Sequence, residues 1–333
     1  MADRPVPAAP VHARRQALDP AIVQKAAQWM ARLWADDACE ADHAACRRWR
    51  AAHPDNELAW RRLLAFDSKL QSVPQHAAPV LMEPAAKGGL PRRRALQALA
   101  AAALTAGALP MVRDSRAWRE ISSDHSTGVG EIREVVLADG TRLLLNTASA
   151  VDARFDEATR EVLLLAGEIL ITTSPDPAAP PRPFMVRSRH GTIRALGTRF
   201  TVRLDDDVSR VAVYEGAVRI QPDEAPHAGL QLDAGQRSAF SGHRVQPPSA
   251  AAKSEAAWSQ GLLVAENMRI EDFLHELGRY RPGLLRCSPE VADLSVTGVF
   301  PLTDTDRALA NLELALPVRV AYRTRYWVTV DAR

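Results

Sequence analysis

The stretch REVVLADGTRLLLN, residues 133–146, reads as two short strands joined by a tight turn. Val135, Val136 and Leu137 lead in, Ala138-Asp139-Gly140 supplies the turn, and Leu143, Leu144 and Leu145 lead out. The same grammar recurs downstream. Residues 162–165, 168–172, 184–187, 192–196, 200–204, 208–214 and 217–221 are further strands, separated by Gly, Asp and Pro. Many short strands at this spacing predict a β-sandwich or a stacked β-solenoid over residues 119–247. Residues 174–183 and 222–229, rich in Pro, read as surface loops.

From Trp258 onward helices return. Residues 269–281 place Ile270, Phe273, Leu274 and Leu277 on one helical face, and a second helix from Asp304 does the same with Ala308, Leu309, Leu312 and Leu316. Strands over 262–264, around Leu285, and over 294–300, 318–322 and 326–330 complete a small α/β domain, residues 258–333, of expected order βαββαββ.

Upstream of the strands lies ALQALAAAALTAGALPMV, residues 95–112, the longest charge-free run, directly behind Arg92, Arg93 and Arg94. Eighteen helical residues span about 27 Å, close to a hydrocarbon core of about 30 Å. The run reads as a transmembrane helix over 92–112, with a buried core helix as the alternative. The arginines before it favour an N-terminus on the inner side, and they also resemble a twin-arginine export signal. Residues 76–91, rich in Pro and Gly, read as a linker.

Residues 1–75 are helical in pattern. Asp19-Pro20 is a helix start, after which Ile22, Ala26, Trp29, Met30 and Leu33 share a face. A second helix covers 40–52, His53-Pro54-Asp55 breaks it, and a third runs over 58–70. Trp29, Trp34, Trp49 and Trp60 either fill the core of an all-α bundle or present a binding face; Trp29, Leu33, Trp49 and Trp60 are the candidate face. Cys39, His43 and Cys46 have the spacing of metal ligands, but Cys46 falls where the helix needs an apolar residue. No metal and no cofactor is expected.

With 333 residues, a net charge of +2 and three cysteines, the chain offers neither a broad polyanion-binding surface nor a disulfide framework. The nine histidines do not cluster with carboxylates, and no phosphate loop or nucleophile elbow is present, so an ordinary enzyme is not expected. Arg47, Arg48, Arg50, Arg61 and Arg62 fit a solvated face or an acidic protein partner better than nucleic acid.

Taken together, these segments resemble the FecR family of transmembrane anti-sigma regulators. The resemblance rests on WMARL at 29–33, CRRWRAAHPDNELAWRRL at 46–63, LADGTRLLLNTASAV at 137–151, RALGTRF at 194–200, VAVYEGAVRI at 211–220 and GLLVAENMRIEDFLHELGRYRPG at 261–283. It implies a multidomain fold: an all-α cytoplasmic helical bundle, one transmembrane helix, an all-β periplasmic domain, and a C-terminal domain like the short N-terminal domain of secretins and TonB-dependent transducers. It implies a single-pass protein of the bacterial inner membrane, N-terminus cytoplasmic. The implied partners are an extracytoplasmic-function sigma factor, the signalling domain of a TonB-dependent outer-membrane transducer carrying a ferric siderophore or similar ligand, and intramembrane and periplasmic proteases. The alternative is a membrane-tethered envelope adaptor that does not act on a sigma factor.

The resemblance also implies self-cleavage at a Gly-Thr bond. A Thr hydroxyl attacks the preceding carbonyl, and Gly before it tolerates the strained geometry. Gly197-Thr198 matches the family position, and Gly191-Thr192 beside His190 is a second such bond. Each is otherwise a turn at a strand edge.

Overall fold

The computed structural model describes residues 20–33, 39–71 and 123–333. They fall into two compact units, a helical one within residues 20–71 and a larger one from Asp124 to Arg333.

The helical unit has α1 (Pro20–Leu33), α2 (Glu40–Ala52) and α3 (Pro54–Gln71). Val23, Ala26 and Met30 form a buried stripe on α1 that meets Cys46 of α2 and Ala59 and Trp60 of α3 in one small core. The helix boundaries have local causes. The Cys39 N–H donates to Asp42 Oδ2 at 3.0 Å, closing the first turn of α2. His53 is extended, which ends α2, and Pro54 opens α3 where its missing N–H is not needed. The buried Asn56 donates its amide to the Trp49 carbonyl at 2.7 Å, satisfying an acceptor near the end of α2.

The larger unit opens with thirteen strands: β1 (His125–Ser126), β2 (Arg133–Val136), β3 (Arg142–Leu145), β4 (Ala150–Phe155), β5 (Arg160–Thr172), β6 (Phe184–Ser188), β7 (Gly191–Ala195), β8 (Arg199–Leu204), β9 (Ser209–Glu215), β10 (Ala217–Pro222), β11 (Leu230–Asp233), β12 (Gln236–Phe240) and β13 (Ser249–Ala250). They form one mixed sheet bent about the long β5. The first half of β5 pairs antiparallel with β4 and parallel with β6; its second half pairs antiparallel with β3 and β8. The two halves close over a shared core that includes Leu143, Val162, Ile171, Phe184, Phe200 and Phe240.

A 3-10 segment, Lys253–Gln260, leads into β14 (Leu262–Arg269), α4 (Ile270–Gly278), β15 (Leu284–Cys287), α5 (Pro289–Ala292), β16 (Ser295–Pro301), α6 (Thr305–Ala315), β17 (Val318–Thr324) and β18 (Trp327–Ala332). Strands β14 and β16 form one small sheet; β15, β18 and β17 form another, with β15 and β18 parallel. Helices α4 and α6 cover them with Ile270, Phe273, Leu274, Leu277, Ala308, Leu309 and Leu312. This second core also takes Leu170 from β5, with Leu144 and Tyr214 packed against it, so the outer face of the large sheet is joined to the last domain. Each large apolar side chain buried there contributes about 1.5–3 kcal/mol.

The expected fold class is corrected on three points. No helix among the described residues is long and apolar enough to cross a membrane; the longest, α3, has 18 residues and carries Asp, Glu and Arg along its length. Among the described residues the chain is built of short helices and a large mixed sheet, and neither the expected cytoplasmic all-α bundle nor the expected transmembrane helix is shown. The sheet is mixed because the 174–183 loop returns the chain to run parallel with β5. The last domain runs βαβαβαββ, not βαββαββ, because Pro289–Ala292 forms an extra helical turn. The linker 76–91, the run 92–112 and Trp34 lie outside the described residues.

Candidate functional site

Three places hold the chemistry. The first is where α4 meets the large sheet. Glu168 on β5 and Arg203 on β8 face Glu276 and Arg279 at the end of α4. Arg279 donates to Glu168 Oε2 at 2.7 Å and to Glu276 Oε2 at 2.9 Å, and Arg203 donates to Glu276 Oε1 at 2.7 Å. The two cations and two anions alternate. Around them, Asn146 donates to Glu168 Oε2 at 2.9 Å, the Tyr280 hydroxyl donates to Asn146 Oδ1 at 2.7 Å, and Thr147 Oγ1 donates to the Arg279 carbonyl at 3.0 Å. Each of these charged and polar side chains is engaged by at least one partner, as a low-dielectric interface requires.

Burial works against the Glu276 charge, but the Arg203 and Arg279 charges outweigh it and hold its carboxyl below the ordinary range. Burial also opposes ionisation of Asp205, and Arg210 and Arg203 depress it in the same way. Stability from such depressed groups is fully present above the unfolded carboxylate pKa, about 4, and is lost as pH falls through the lower folded value. The thermal midpoint of the larger unit is therefore expected to fall only below about pH 4.5. Glu276→Gln should flatten that part of the profile; a midpoint unchanged down to pH 3 in the wild-type chain would contradict the charge balance.

A cleft of about 860 Å³ opens beside this cluster, between α4, β14 and the outer side of β8, β9 and β12. Its walls carry Arg203, Arg210, Arg237, Glu276, Trp258 and Tyr280. Arg203 pairs with Glu276 across the two domains, Arg210 with Asp205 on the large sheet, and Arg237 with Glu255. Among the described residues, no group of three or more His, Cys, Asp and Glu is placed to hold a metal ion.

The second place is Gly197-Thr198, between β7 and β8. Gly197 is exposed at φ +84°, with open space where a side chain would stand. Thr198 is 5% exposed, and its Oγ1 is buried with no hydrogen-bond partner. The Thr198 N–H donates to Thr173 Oγ1 at 2.8 Å, while Thr173 N and Oγ1 donate to the Thr198 carbonyl at 3.1 and 3.2 Å. Gly216 packs against the bond from the other side: a Cβ there would stand 2.1 Å from the Gly197 carbonyl oxygen. The hydroxyl is thus buried beside a bond whose surroundings need two glycines. Gly191-Thr192 differs. His190 is buried, its ring contacts Ser209 Oγ at 3.0 Å, Ser209 donates to Ser188, and Ser188 donates to the Gly191 carbonyl, so that region is a closed polar network inside the sheet.

The third place is the helical unit. Trp29 and Leu33 of α1 and Trp49 of α2 are half-buried at the margin of the core. Lys25 Nζ lies 5.6 Å from the centre of the Trp29 ring. Trp60 is only 7% exposed, with the Arg50 guanidinium 5.4 Å from its ring centre and bonded to Glu57, so Trp60 belongs to the core. Of the four proposed face residues, three remain at the surface. Cys39, His43 and Cys46 do not converge: Cys39 is exposed at the start of α2 with Sγ donating to Asp42, and Cys46 is buried, its thiol pKa raised by burial.

Sequence reasoning had no sight of Thr173, Gly216 or the ionic cluster. The signal available for the cluster was Glu276, Arg279 and Tyr280 at helical spacing, a polar stripe beside the apolar one.

Residues 123–219 match the family model described as FecR protein, and residues 24–66 match a domain of unknown function, DUF4880. Two crystal structures of a candidate anti-sigma factor from Parabacteroides distasonis ATCC 8503, at 2.50 and 1.65 Å, are similar in fold. Each is 22% identical and covers 63% of this chain and 98% of its own, with TM-scores of 0.50 and 0.51. No curated protein matches the chain.

Proposed function

We propose that this chain, a member of the FecR family through residues 123–219, regulates an extracytoplasmic-function sigma factor. The observation that carries the reading is the pairing of that domain with a fold shared by a candidate anti-sigma factor. In this reading the helical unit holds the sigma factor through Trp29, Leu33 and Trp49, in the cytoplasm. The larger unit, in the periplasm, receives the signalling domain of a TonB-dependent outer-membrane transducer, and proteolysis then frees the helical unit to switch on uptake genes.

Self-cleavage at Gly197-Thr198 belongs to the same proposal. Thr198 Oγ1 attacks the Gly197 carbonyl carbon, its proton passes to the Thr198 nitrogen, the C–N bond breaks and a C–O ester bond forms. Water then hydrolyses the ester, leaving a Gly197 carboxylate and a Thr198 amine with its hydroxyl restored. The unpartnered Thr198 hydroxyl supports this reading, as does Thr173 Oγ1 at the nitrogen that leaves.

Binding of the full chain to its sigma factor tests the core of the proposal. An aromatic at the centre of an interface contributes about 2 kcal/mol, so Trp29→Ala and Trp49→Ala should each weaken the complex about thirtyfold. Circular dichroism should report helix content unchanged. Normal binding by both folded variants would rule out this face.

A further inference from the structure

We infer that the tip of the β17–β18 hairpin, with the outer face of its three-stranded sheet, docks on an anionic lipid headgroup layer. The residues alternate cleanly. Val328 and Val330 of β18 point into the core, so Trp327 and Thr329 point out. Register sets Leu284 of β15 beside Trp327, and Arg286 beside Thr329, with Ala321 on the far side. Trp327 is 47% exposed and Leu284 41% exposed. Both are large apolar groups left in water on the uncovered face.

Cations surround them. The Arg323 guanidinium lies 5.5 Å from the Trp327 ring centre, and Arg325, in the two-residue turn, lies 5.1 Å from that of Tyr326. Arg286 is exposed on β15 beside them, and Arg319, exposed farther along β17, stands opposite Asp331. None of these four arginines has an ion-pair partner within 4.0 Å among the described residues. The carboxylate on this face is Asp331, which accepts from Thr329 Oγ1 at 3.2 Å; Asp306 is engaged by Arg281 and the Tyr322 hydroxyl.

The arrangement fits a headgroup layer. Trp and Tyr rings settle at headgroup depth, a Leu beside them enters the acyl boundary, and arginine stems lie along apolar surface with their heads toward phosphate. Guanidinium groups stacked on rings keep their N–H donors free for phosphate oxygens at that same level. The hairpin tip and the sheet face beside it carry exposed rings and cations together, a combination that a planar anionic layer engages at one depth.

The test uses the full chain with an environment-sensitive fluorophore on Thr324→Cys, in a Cys39→Ser, Cys287→Ser background. Vesicles of phosphatidylcholine are compared with vesicles that also contain phosphatidylglycerol. A label at the tip is used because sedimentation of the full chain would not report which part of it meets the vesicle. The expected result is a blue shift with phosphatidylglycerol only, weakened by salt. Arg286→Gln and Arg323→Gln should each reduce apparent affinity about fivefold, and Trp327→Ala should reduce it further. All three positions are exposed, so unchanged thermal midpoints should accompany the loss. A label that responds equally to both vesicle types, or that these variants leave unchanged, overturns the inference. A label indifferent to lipid altogether also overturns it and leaves the face to an acidic protein.

Discussion

Arg279→Met is expected to cost the larger unit about 3 kcal/mol, because it strips the shared cation from the buried Glu168 and the part-buried Glu276. Glu168 has its side chain 9% exposed, and Glu276 would keep only Arg203. The loss should exceed the worth of the pair itself, since an uncompensated buried charge is the main penalty. Glu168→Met added to Arg279→Met should therefore recover much of the loss, even though one more native contact is gone. Urea unfolding of the full chain, followed by fluorescence of Trp258, Trp327 and the other tryptophans, measures both variants. An Arg279→Met chain with the wild-type midpoint would mean that the ion pairs do not hold the two domains together. Because Glu276 and Arg279 stand at the C-terminal end of α4, undocking should also widen the urea transition by separating the sheet from the last domain.

Thr198→Ala is expected to abolish cleavage at Gly197-Thr198, while Thr198→Ser should retain part of it, because only the first removes the nucleophile. Folding should survive. The Thr198 hydroxyl is buried without a partner, so its removal relieves an unsatisfied group and should leave the thermal midpoint equal or slightly higher. The chain length on a denaturing gel and the mass of the released fragment give the answer. Cleavage persisting at the same bond in Thr198→Ala would assign the cut to a separate protease. Cleavage moved to Gly191-Thr192 would make that bond the reactive one, despite its closed polar surroundings.

Local chemistry was legible where it is self-contained. Asp19-Pro20 marked the start of α1, His53-Pro54 the break between α2 and α3, and Ala138-Asp139-Gly140 the hairpin between β2 and β3. Two strands were read on either side of Gly167, yet β5 runs through it. Gly167 sits at φ +79° against Ser149, and this kink lets one strand serve both halves of the sheet. A glycine inside a strand pattern signals either a break or a bulge, and only the pairing decides which. Strand β4 was missed because Asp152 interrupts its apolar run, although that carboxylate is buried and accepts from the Asp124 N–H. The ionic cluster was hidden for a different reason. Glu168 and Arg279 lie 111 residues apart, and Asn146 and Tyr280 134 apart, so no window of sequence brings them together. The tryptophans could not be divided into core and margin from spacing alone, since Trp29, Trp49 and Trp60 share the same helical periodicity and differ only in what packs over them.

The most direct test is to co-express the full chain with each extracytoplasmic-function sigma factor of its own genome. Complex formation would be recorded by size exclusion, and sigma-dependent transcription by a reporter. The expected result is one sigma factor that co-elutes with the chain, through a complex that Trp29→Ala weakens, and whose reporter changes when the chain is deleted. Absence of any such complex, with reporters unaffected by deletion, would contradict the account at its centre.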